Sequence, residues 1–109
     1  MSDVIPLKIA MTAKRAEALI KQLAQDSKNI RFTTHANERM EERDISLADV
    51  VRVLCQGSIE GHPEEGLKSG EWKCKMVRHA RGNREIGVIS IIVKEAYLLI
   101  KTVEWEDLR

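Results

Sequence analysis

At 109 residues the chain has room for one hydrophobic core but not two, so a single domain over residues 1–109 is expected. Hydrophobic residues make up 43% and charged residues 32%, an ordinary balance for a globular protein. The formal net charge of +1 excludes a polyelectrolyte tail, so affinity for nucleic acid would have to come from local clustering.

The opening stretch MSDVIPLKIAM puts Asp3 and Pro6 where a signal peptide needs a basic start and an unbroken apolar run. No apolar run approaches membrane length, so a cytoplasmic protein with no membrane attachment is expected. Over residues 11–26 Ala13, Ala16, Ile20, Leu23 and Ala24 recur at helical spacing, which predicts an amphipathic helix capped by Thr12 and ended by the polar run DSKN. NIRF reads as a few extended residues. Thr33 or Thr34 can then cap a second helix, THANERMEER, which Asp44 ends. In ISLADVVRVLCQG, Ser46 is the cap and Asp49 stands three residues later, while Leu47, Val50, Val51 and Leu54 form one apolar face. Gly57 is expected to close this third helix in a left-handed conformation.

Beyond Gly57 the period changes. GHPEEGLKSG reads as a loop, broken by Gly61, Pro63, Gly66 and Gly70. Three strands are expected at residues 71–80, 84–94 and 97–105, joined by RGN and by a tight turn near Glu95. The first alternates, with Trp72, Cys74 and Met76 on one face and Glu71, Lys73 and Lys75 on the other; the second is apolar on both faces and reads as central. Helices first and a meander after them predict an α+β domain, with N-terminal helices packed on a C-terminal antiparallel sheet of three to four strands. Residues 1–32 read as an N-terminal helical extension of a core domain at residues 33–109.

Two groups of charged residues could carry chemistry. On the second helix His35, Arg39 and Arg43 fall on one line and Glu38 and Glu42 on an adjacent one, so the signs are segregated along each line. Helix pairing energies explain that poorly, although a solvated face is the simpler reading. Downstream, Lys68, Lys73, Lys75, Arg78, Arg81 and Arg84 stand against Glu71 alone, a cluster suited to a phosphate backbone or to blunting a sheet edge. His35, His62 and His79 lack metal-ligand spacing, and Cys55 and Cys74 read as buried free thiols, so no metal and no cofactor is expected.

If the histidine line and the basic strand face one groove, the inventory suits metal-free RNA cleavage. There a base takes the 2′-hydroxyl proton, a cation stabilises the phosphorane, and an acid protonates the leaving 5′-oxygen. The candidates are His35 as base or acid, His79 as the second proton-transfer group, and Arg39 and Lys73 for phosphate charge. Arg43, Lys75, Arg78 and Arg84 would hold the RNA.

TTHANERMEERDISLADVVRVLCQG resembles the opening signature of the bacterial domain-of-unknown-function family numbered 4258, with its "HA..RM.ER" and "IS..DV..VL..G" patterns. REIGVISIIV and LLIKTVEWED resemble its closing strands. The resemblance implies a RelE, barnase and EndoU type of fold, whose exposed sheet face binds RNA. It also implies a ribonuclease toxin, an endoribonuclease paired with a zinc-finger antitoxin. More distantly, FTTHA, ISLADVVRVL and EWKCKMV are similar to segments of the motility quorum-sensing regulator type of mRNA interferase. A strand lysine after an aromatic residue is functional there, a role that falls on Lys73 behind Trp72. Tyr97 stands where such nucleases often use a tyrosine, and Glu104 departs from the pattern near an expected basic residue. The competing expectation is a non-catalytic protein-interaction module of the same fold.

Overall fold

The computed structural model describes residues 10–108; Asp3 and Pro6, on which the signal-peptide reading turned, lie outside the described residues. Three helices come first in the chain, interrupted by one short strand, and a meander follows. The helices are α1 (Ala13–Leu23), α2 (Thr34–Glu42) and α3 (Leu47–Gln56); the strands are β1 (Ile30–Phe32), β2 (Ser58–Glu65), β3 (Glu71–Arg81), β4 (Arg84–Val93) and β5 (Tyr97–Trp105). The class is α+β, as expected. The sheet, however, has five strands in the order β1-β5-β4-β3-β2, and β1 pairs parallel to β5 while every other pair is antiparallel. It is therefore a mixed sheet rather than an antiparallel one of three to four strands.

The helix starts follow from capping chemistry. Thr12 and Thr33 each accept a backbone N–H of the first turn, and Ser46 with Asp49 completes a reciprocal capping box. Asp44 ends the α2 region at φ 52°, a left-handed conformation that Asp tolerates better than most residues. The polar DSKN break is a short 3-10 turn, Ser27–Asn29.

Two expectations fail in the same neighbourhood. Gly57 is extended, at φ −81° and ψ −172°, not left-handed. Glycine is required there because a Cβ would sit 2.5 Å from the Val53 carbonyl oxygen and 2.7 Å from that of Val77, where α3 runs onto β3. Of the segment read as a loop, residues 61–65 belong to the edge strand β2, while residues 66–70 are the loop that joins it to β3. The first three residues of β2 pair with Val77, Met76 and Lys75, the register then shifts, and Glu64 and Glu65 pair with Lys73 and Trp72. Gly61, at φ 74°, and Pro63 sit within that irregularity, which an edge strand tolerates because one side of its backbone needs no partner strand.

Helices α1 and α3 lie on one face of the sheet, and α2 runs along β5, beyond the end of β1. Ala16, Ile20, Val50, Val53 and Leu54 pack against Met76, Ile86, Val88, Ile92, Leu98, Ile100 and Val103, all with essentially no exposure. Burying side chains of this size contributes about 1.5–3 kcal/mol each, and this layer is the core. Cys74 belongs to it, and burial pushes its thiol up to about 11; Cys55 is free and only half-buried. Among the described residues the opposite face, alternate residues along each strand, carries no helix.

Candidate functional site

The strand registers define what that helix-free face presents. Reading across the sheet, one row runs Glu64, Lys73, Ile91, Leu99, Arg31; the next runs Glu60, Lys75, Ile89, Thr102; a third runs Ser58, Val77, Gly87, Glu104. Ile89, Ile91, Leu99 and Val77 are half-buried, so the middle of the face is an apolar floor only partly covered by its neighbours. Among the described residues no ion pair holds Lys73, and its side chain is exposed.

Lys75 is placed differently. Its ammonium lies 2.9 Å from Glu106, 3.3 Å from Glu60 and 3.4 Å from Glu104. Gly87 makes room for this group, since a Cβ there would meet the Glu106 carboxylate at 2.5 Å and the Lys75 side chain at 2.9 Å. Burial acts to lower the Lys75 pKa, but the hydrogen bonds it donates to Glu106 and Glu60 and the charges of Glu106 and Glu104 outweigh it and raise it above the usual lysine value. The positive charge expected to meet RNA is thus answered by three carboxylates of the protein itself.

The histidine line stands at the other side of the sheet. Thr33 ties the start of α2 to β5: its backbone N–H and its hydroxyl both donate to the Ile100 carbonyl, at 3.1 and 3.0 Å. At the other end an Arg43 guanidinium nitrogen donates to the Val103 carbonyl at 2.7 Å, and the Trp105 indole donates to the Arg43 carbonyl at 2.7 Å. Ala36 is fully buried and Met40 packs beside it, so the opposite side of the helix faces water. His35 lies there exposed, and Arg39 is half-buried and ion-paired to Glu42, the i, i+3 partner that helical geometry offers it.

His35 and Arg39 therefore stand together, while Lys73 is separated from them by β5 and β4. His79 is not gathered with either. It is exposed six residues along β3 from Lys73, roughly 20 Å at the rise of a strand, beside Glu85. Arg78 donates to the His79 carbonyl at 3.0 Å and lines a recess with Gln56, Ser58 and His79. Arg84 lies 4.0 Å over the Trp105 ring and donates to Asp107 at 3.3 Å, on the helix-covered side of the sheet. Arg81 completes that end, 3.3 Å from Asp49. Burial pushes the Asp49 carboxyl up, but the Ser46 hydrogen bonds and the Arg81 and Arg52 charges prevail and hold it below its usual range.

Two residues missed as site candidates belong to the helix-free face. Arg31 stands opposite Leu99, its guanidinium 3.8 Å over the ring of Tyr97. Lys101 is the extra residue of a bulge: Ser90 pairs with Ile100 and Ile89 with Thr102, leaving Lys101 between them, exposed. Thr33 links this bulge to α2, its hydroxyl lying 3.4 Å from the Lys101 carbonyl. The signals were there in part, a single arginine between Ile30 and Phe32 and a lysine breaking the alternation of β5.

Among the described residues no group of three or more His, Cys, Asp or Glu side chains is arranged to hold a metal ion, and no helix is long and apolar enough to cross a membrane. No curated protein and no solved structure matches the chain. Residues 32–105, from the end of β1 to the end of β5, match the family model described as "Domain of unknown function (DUF4258)", and the chain belongs to that family.

Proposed function

We propose that the protein is a toxin-like RNA-binding domain that cleaves RNA without a metal, by attack of a 2′-hydroxyl on the adjacent phosphodiester. The observation that carries this reading is the exposure of His35, one turn from the half-buried Arg39, on a helix fixed at both ends to β5. Neither side chain is needed to fill the core, and an imidazole is suited to proton transfer near neutral pH. His35 acts as the general base or acid, and Arg39 stabilises the charge that builds on the phosphate. Lys73, exposed on the helix-free face, contacts the substrate further along. Arg43, Lys75 and Arg84 have structural partners inside the protein and serve the RNA indirectly, by fixing the surfaces around it. His79 and Arg78 lie beyond the reacting phosphate, at the far end of β3. The reading includes the RelE, barnase and EndoU type of fold and neutralisation by a zinc-finger antitoxin, both implied by the sequence resemblance, together with cytoplasmic action.

The experiment is incubation of purified protein with a mixed-sequence RNA in EDTA. Wild type should yield fragments ending in a 2′,3′-cyclic phosphate, and His35→Ala should be slower by about 100-fold or more, the range for one general acid or base. Absence of cleavage by the wild type, or equal rates in His35→Ala, would overturn the reaction.

The half-exposed apolar floor of Val77, Ile89, Ile91 and Leu99 supports a second reading, a non-catalytic module that docks a protein on this face. That module would bind its partner in a salt-sensitive way with no RNA turnover.

A further inference from the structure

We infer that the β1–β5 side of the helix-free face is a track for an unpaired RNA segment, with Arg31 and Lys101 as its phosphate-binding rim and Ile89, Ile91 and Leu99 as the floor for the bases. This deepens the proposed function and rests on its assignment of RNA as the ligand.

The placement follows from the registers. Arg31, Leu99, Ile91 and Lys73 occupy one row, so the two cations stand at opposite ends of an apolar pair. Three strand spacings separate them, about 14 Å. Both are on the helix-free face, because Ile30 beside Arg31 and Cys74 beside Lys73 belong to the core, as do Leu98 and Ile100 on either side of Leu99. Arg31 is not a loosely tethered surface arginine. Its guanidinium lies over Tyr97, which holds it above the face while leaving its donors for a phosphate. The bulge adds Lys101 next to it, one residue from Thr102 in the adjoining row. Among the described residues neither Arg31 nor Lys101 has an ion pair to a carboxylate. This sets them apart from Lys75 in the same row as Thr102, whose partners Glu60 and Glu104 mark where phosphate would be repelled.

The floor decides the class of RNA. An A-form duplex hides its base faces and offers a protein only phosphates and 2′-hydroxyls, so half-exposed isoleucine and leucine would gain little from it. An unpaired strand can turn its bases onto such a floor while its backbone follows the basic rim. The rim also leads to the proposed chemistry, because Thr33 joins the Lys101 carbonyl to the start of α2, two residues before His35.

The test separates binding from cleavage by using the His35→Ala protein in EDTA with a fluorescein-labelled 20-nucleotide RNA of no self-complementarity. Anisotropy is read for the RNA alone and annealed to its complement. The single strand should bind roughly tenfold or more tightly than the duplex, and Arg31→Glu and Lys101→Glu should each weaken it and flatten its dependence on salt. Lys14→Glu, an exposed change on α1, should leave binding unchanged. Circular dichroism melts identify any variant that fails to fold, and Arg31→Gln is then read in place of Arg31→Glu. Equal affinity for duplex and single strand, or Arg31 and Lys101 variants that bind as Lys14→Glu does, would overturn the track. Wild-type protein that binds single strands with these dependences but never cleaves RNA supports the track while ending the catalytic reading. Cleavage that persists with unchanged binding in both rim variants does the reverse.

Discussion

Replacing Lys75 with Met should destabilise the fold by more than any ordinary surface change. The ammonium is the shared partner of Glu106, Glu60 and Glu104, with side-chain exposures of 17% for the lysine, 7% for Glu106, 46% for Glu60 and 24% for Glu104. Removing one partner of a buried pair costs about 3–5 kcal/mol, because the remaining charge is left in poorly solvated surroundings. Glu60 and Glu104 can turn toward water, whereas Glu106 is confined beside Gly87, so the expected loss is reduced to about 2–3 kcal/mol. For a domain of this size that corresponds to a melting temperature lower by roughly 10–15 °C. Urea unfolding followed by the fluorescence of Trp72 and Trp105 measures it, and a cycle with Glu106→Gln isolates the pair. The double variant should recover about 1 kcal/mol or more relative to additivity, since the Lys75–Glu106 interaction can be lost only once. A Lys75→Met loss under about 0.5 kcal/mol, the range of featureless surface positions, or an additive cycle, would refute the reasoning.

Gly57→Ala should cost about 1–3 kcal/mol although the backbone there suits any residue, because the new Cβ meets two carbonyl oxygens that belong to α3 and β3 and cannot swing aside; thermal unfolding reads it. On the acid side Asp49 has a folded pKa below its unfolded 3.8, so its contribution is present above 3.8 and is lost as pH falls through the folded value. Asp49→Asn should therefore unfold with less pH dependence below pH 4. On the alkaline side the Cys74 thiol is raised from 9.0 to about 11, so its contribution is full below 9.0 and lost as pH rises toward 11. Cys74→Ala should remove that part of the alkaline loss, leaving the part due to Lys75, whose raised pKa carries its contribution past 10.5.

Much of this protein was legible from residues acting within a few positions of one another. Thr12, Thr33 and Ser46 cap their helices because a short side-chain oxygen can reach an orphan N–H only three residues on, a purely local geometry. The alternation in EWKCKM and the unbroken apolar run of β4 reported one covered face and a central strand, as found. The strand β2 was not legible. Its residues are mostly polar, and what holds it extended is backbone pairing to β3, with Glu17 of α1 accepting the Ile59 N–H at 2.8 Å. No periodicity in SIEGHPEE encodes those partners.

The same division runs through the candidate site. Sequence by itself determined that His35 and Arg39 share a helix face, since the 100° turn per residue allows nothing else, and that Lys73 and Lys75 share a strand face. It could not assign the two lysines different environments, because Glu60, Glu104 and Glu106 reach Lys75 from β2, the end of β5 and the turn beyond it. Nor could it bring Arg31 beside Leu99 and Tyr97, which are more than sixty residues away and adjacent only because β1 closes the sheet in parallel. Local spacing sets which side chains point the same way; long-range pairing sets which charges are answered by the protein and which remain exposed to a ligand.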